Sequence, residues 1–117
     1  MHNSTPHDLL ASMLNIIPVL DAKMMDEAKI ADNAKRHMDE AIADLSKAGA
    51  ELDKLLRPLN NDDFIRMGKL AMIVHIKTKQ HKEKGQQCQD TRNMLIKACI
   101  HRDELQARIE TLANRKR

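Results

Sequence analysis

The side chains able to hold a metal or move a proton are six histidines (His2, His7, His37, His75, His81 and His101) and two cysteines, Cys88 and Cys99. Zinc would be the natural guest for such a set. The spacing argues against it: there is no Cys-x-x-Cys pair and no His pair three or four apart. His81 and Cys88 stand one heptad apart, about 10 Å along a helix, too far for one ion to bridge on a straight helix. Only a hairpin that brought His37 beside His81 and Cys88 would assemble three ligands, and no motif supports that. The carboxylates come in adjacent pairs: Asp26-Glu27, Asp39-Glu40, Asp62-Asp63 and Asp103-Glu104. Helix neighbours point in different directions, so these pairs form no acid–base dyad. His37/Glu40 and His101/Glu104 share faces, but a hairpin separates the two pairs. No phosphate loop, nucleophile elbow or zinc-protease motif occurs. The expectation is therefore a non-enzyme with no cofactor, no metal and no small-molecule substrate.

Composition narrows the classes further. Of 117 residues, 32% are charged and 42% belong to the AVILMFWYC group. There is one Phe, no Trp, no Tyr, three Gly and three Pro. Sandwiches and small barrels want β-branched and aromatic residues and frequent Gly turns; doubly wound α/β folds want Gly at their strand–helix turns. This chain has helical composition instead. One Phe is a small aromatic payload for a core. That favours a slender form, or a core completed by another chain.

Hydrophobic periodicity predicts two arms. Thr5 can cap a helix, Pro6 suits its first position and Asp8 lies three residues after the cap. A heptad follows at positions 10, 14, 17, 21, 24, 28, 31, 35, 38, 42, 45, 49, 52, 56 and 59. Asp21, Lys35 and Gly49 are its exceptions, read here as devices that disfavour other registers. Pro18 predicts a kink or break near Ile16–Ile17. Arm one is expected over about 5–57, with Lys54 and Arg57 at its C-terminal end and Pro58 closing it. Asn60 or Asn61 can cap arm two, about 61–114, after a turn at 58–61. Its heptad runs 67, 70, 74, 77, 81, 84, 88, 91, 95, 98, 102, 105, 109 and 112, with a polar middle. Folding about residues 60–61 sets 77–93 against 28–44 and 94–112 against 9–27, thin against thin and thick against thick. A rival is a break at 85–90, with Gly85 ending one helix and Asp90 capping another. The expected fold is all-α: one domain over 1–117, a long antiparallel helical hairpin with coiled-coil character, dimerising into a bundle.

The first arm is apolar over more than one face. Leu9, Leu10, Met13, Leu14, Ile16, Ile17, Leu20 and Met24 are the candidate protein interface, since one partner helix buries only a stripe. The expected function is a protein–protein interaction module: an assembly subunit, an adaptor or a small inhibitor of another protein, with itself or another chain as partner.

The alternative is sequence-nonspecific nucleic-acid binding. Residues 1–63 hold 7 Lys/Arg against 12 Asp/Glu, net −5, and residues 64–117 hold 13 against 5, net +8. Arg66, Lys69, Lys77, Lys79, Lys82 and Lys84 are the candidate phosphate contacts, and Arg115-Lys116-Arg117 is a further basic tail. No aromatics are present for base stacking. The same asymmetry also suits two oppositely charged arms attracting each other. Cys88 and Cys99 lie roughly 16 Å apart on one helix, beyond disulfide reach, so free thiols and a cytoplasmic, reducing setting are expected. Residues 9–20 are too short an apolar run to span a bilayer, and no signal peptide or membrane partner is expected. The sequon Asn3-Ser4-Thr5 is read as coincidence.

Overall fold

A computed structural model describes residues 5–115. His2, Asn3 and Ser4, with Lys116 and Arg117 of the basic tail, lie outside the described residues. The chain is all-α. Helix α1 spans Pro6–Asp53 and helix α2 spans Asn61–Arg115, and the two pair as a helical hairpin. Packing contacts group into two compact units, one within Met1–Asp26 and Gln87–Arg117, the other Glu27–Gln86.

Both helix starts are built by reciprocal caps. Thr5 Oγ1 accepts from the Asp8 N–H and Asp8 Oδ2 accepts from the Thr5 N–H, both at 3.2 Å. Asn60 and Asp63 repeat the arrangement at 3.0 Å each way. Each pair satisfies two donors that a bare helix end leaves without partners. Pro18 lies inside α1 and does not break it. Pro18 has no N–H for the Leu14 carbonyl, but both residues are exposed, so water can take that acceptor. Gly85 does not break α2 either, and its backbone has no left-handed φ.

Arm one stops four residues before its expected end. The Lys54 and Leu55 N–H groups donate to Glu51 and Leu52 carbonyls at 3.3 and 3.1 Å, three-residue steps that tighten the final turn. Arg57 therefore does not cap α1. It sits in the connection, where Nη1 donates to Asp63 Oδ2 at 2.7 Å and Nη2 to Asp63 Oδ1 at 3.2 Å, with a further bond to the Pro58 carbonyl. Asp63 thus ties the loop to the start of α2. The guanidinium bonds hold its carboxyl below its ordinary value, and the Asn60 N–H adds to that; the same pairing raises Arg57. The loop is centred near residue 57, midway between Asp53 and Asn61, and not at 60–61. Pairing levels shift accordingly: Glu51 meets Arg66 at 3.2 Å, and a Cβ on Gly49 would lie 3.8 Å from Met67 Cε.

The seam of α2 follows the expected heptad from 67 through 109, every position half-buried or buried; Leu112 is exposed. The seam of α1 agrees at 10, 17, 24, 31, 38, 45 and 52. Its other row is one residue earlier than expected: Met13, Leu20, Glu27, Ala34, Ala41 and Ala48 turn inward, while Leu14, Asp21, Lys35 and Ile42 are exposed; of the expected row Ala28 and Gly49 are half-buried at its edge, and the last heptad positions, Leu56 and Leu59, are exposed in the connection. Asp21 and Lys35 are thus not buried register devices. Burying them would strip hydration from two charges, whereas the shifted row buries Leu20 and Ala34 and takes in one charge, the half-buried Glu27, which has a partner. Ala41 and Ala48 are exposed by only 7% and 2%, because a methyl side chain lets the second helix come close.

Candidate interaction surface

In the unit formed by residues 5–26 and 87–115, the expected interface residues divide by row. Leu10, Met13, Ile17, Leu20 and Met24 are half-buried in the seam, so they serve the hairpin itself. The Cys88 thiol donates to the Met24 carbonyl at 3.7 Å, which sets these two positions level. Leu9, Leu14 and Ile16 point outward, joined by Val19 at 67% exposure and by Met25. From α2 of the same unit, Met94, Ile96, Ile100 and Leu112 are also exposed. Sequence reasoning missed Met94, Ile96 and Ile100, because the α2 reading followed only its seam, in which it placed Leu112. Their signal was present as three large apolar residues (94, 96 and 100) lying off the heptad.

Thr91 is the buried polar residue of this unit, 3% exposed at a seam position. Cys88 and Cys99 are both free thiols and half-buried.

Within residues 27–86, open grooves flank the seam. One is lined by His37, Glu40, Ala41, Asp44, Ile73 and Lys77. Another is lined by Ile30, Asn33, Ala34, His37, Gln80, Glu83 and Lys84. Exposed apolar side chains here include Ile30, Ile42, Phe64, Ile65, Met72, Ile73 and Ile76.

The six candidate phosphate contacts all lie in this unit and do not share one face. Lys77 and Lys84 are half-buried seam residues. Arg66 is paired with Glu51. Lys69, Lys79 and Lys82 are exposed on different rows of α2, at steps of ten and three residues.

His81 is also a seam residue, and its Nδ1 is buried without a hydrogen-bond partner. Among the described residues, no group of three or more His, Cys, Asp or Glu is placed to hold a metal ion. No described helix is long and apolar enough to cross a membrane. What the arrangement can do chemically is bury apolar surface against another chain. Comparison of the chain with protein-family models, curated proteins and solved structures returned no match.

Proposed function

We propose that the protein is a non-catalytic interaction module whose exposed apolar helix faces are covered by another chain, in the first instance a second copy, giving a four-helix bundle. One observation carries this reading. Leu9, Leu14, Ile16, Val19 and Met25 of α1 and Met94, Ile96 and Ile100 of α2 are large apolar side chains, each 45–67% exposed. Among the described residues no large side chain is fully buried, and the buried hydrophobic residues are two alanines. Two paired helices with so small a core need further burial to be stable.

Leu14, Met25 and Ile42 supply the affinity on α1, and Phe64 and Ile96 supply it on α2. Two free thiols suit a reducing, cytoplasmic setting. The mass in solution tests the reading. Light scattering on a sizing column, across salt and concentration, should give about 27 kDa, twice the chain mass. A single-chain mass at every concentration overturns self-association.

A further inference from the structure

We infer that the second copy docks on one particular flank of residues 27–86, with a two-fold axis along the helices and both loops at the same end. This deepens the self-association proposed above and rests on it.

The seam of this unit separates two flanks. One carries Ile30, His37, Asp44 and Glu51 of α1 beside Arg66, Ile73 and Gln80 of α2. The two grooves and the Glu51–Arg66 ion pair bring these rows together. That flank is crossed by charge and suits water. The opposite flank must then hold the remaining rows beside the seam, at seven-residue spacing: Ala28, Ile42 and Gly49 of α1, and Phe64, Ala71 and Gly85 of α2. Lys35 and Thr78 are its polar members; in the docked pair the Lys35 stem covers apolar surface and its ammonium group reaches the rim on the side of Asp32 and Asp39, where it keeps its water. Ile42 and Phe64 are 42% and 60% exposed. In this unit the half-buried residues outside the seam rows are Ala28, Gly49 and Gly85, all on this flank.

Charge at the rim of this flank names the occupant. The outer edge of α1 presents Asp32 and Asp39, and the outer edge of α2 presents His75 and Lys82, all exposed. One groove spans residues 30–37 and 80–84, so Asp32 stands level with Lys82. The other spans 37–44 and 73–77, so Asp39 stands level with His75. Within one chain these edges are separated by the width of the helix pair. A two-fold along the helices sets each α1 edge against the α2 edge of the other copy at the same level. Asp32 then meets the partner subunit's Lys82, and the partner subunit's Asp32 meets Lys82. An acidic and a basic edge at matching heights on one apolar face are self-complementary under this operation.

Charge exchange in trans tests it. Asp32→Lys alone and Lys82→Asp alone each place two like-charge contacts in the dimer and should weaken self-association about tenfold. An equimolar mixture of the two variants restores both contacts, so its association by sedimentation equilibrium should return to that of the unmodified chain. A contact within one chain could not be restored by mixing. Ile42→Asp should give single chains, while Ile73→Asp on the opposite flank should leave the dimer intact. All four sites are exposed, and circular dichroism reports whether each variant keeps its helices. A dimer that mixing fails to restore overturns this arrangement and leaves self-association standing. So does one that Ile73→Asp dissolves and Ile42→Asp does not. An unmodified chain that stays single at all concentrations overturns self-association itself.

Discussion

The inward row of α1 at Ala34, Ala41 and Ala48 makes a demanding prediction about Ala48. Its side chain is 2% exposed, so atoms already surround the methyl. The neighbouring Gly49 shows how near the second helix is, since a Cβ there would lie 3.8 Å from Met67 Cε. Ala48→Leu adds three carbons where there is no room. Overpacking of this kind costs about 1–3 kcal/mol. Leu and Ala have nearly equal helix propensity, so the loss is a packing loss. A chain of this length has an unfolding entropy of about 0.25 kcal/mol/K, which converts the cost to a drop in Tm of roughly 4–12 °C. Ala50→Leu, exposed on the outer face of the same helix, is the control and should shift Tm by less than about 2 °C. Thermal melts followed by circular dichroism at 222 nm, at one fixed protomer concentration, read both. If position 49 faced the second helix and 48 did not, Ala48→Leu would behave like Ala50→Leu. An unchanged or raised Tm for Ala48→Leu therefore refutes the inward row.

Three further outcomes are expected. Amide exchange across residues 86–90 should be as slow as in the neighbouring turns of α2, because a continuous helix keeps those N–H groups bonded; a fast-exchanging run just after Gly85 would restore the break. The Asp63 carboxyl has a folded value below its ordinary 3.8, so its contribution is present above that pH and is lost as pH falls below it through the folded value; denaturant melts between pH 2 and pH 6 should show Asp63→Asn flattening that acid limb, and an unaltered limb would remove the loop tie from the account. His81→Leu should raise stability by about 1–2 kcal/mol in urea melts, since it replaces an unpartnered buried nitrogen in the seam with apolar contact; a loss would mean that Nδ1 has a partner in solution.

Much of the architecture was legible in the residues alone. Thr5-Pro6 with Asp8, and Asn60 with Asp63, are local signals whose hydrogen bonds close within one turn, and they start both helices where expected. The α2 heptad was legible at its two apolar ends, where Met67, Leu70 and Val74, then Leu95, Ala98, Leu105 and Ile109, keep the register although other apolar residues lie off it. The α1 register was not. Its apolar residues fill three adjacent rows, and periodicity cannot say which two of three face the second helix. Tertiary packing decided it: alanines admit close approach, and Asp21 and Lys35 keep their water. Pro18 and Gly85 show the converse limit: Pro18 pointed to a kink or break, and Gly85 to a break that rivalled the continuous second arm. Local propensity argued for breaks, but each costs only a few kcal/mol at most, and seam contacts on both sides of it hold the helix continuous. The interface divided for the same reason. Sequence alone marked residues 9–24 as too apolar for one partner. Only the packed hairpin assigned Leu10, Met13, Ile17, Leu20 and Met24 to the seam and left Leu9, Leu14 and Ile16 outside, because facing is a property of two helices together and not of either one.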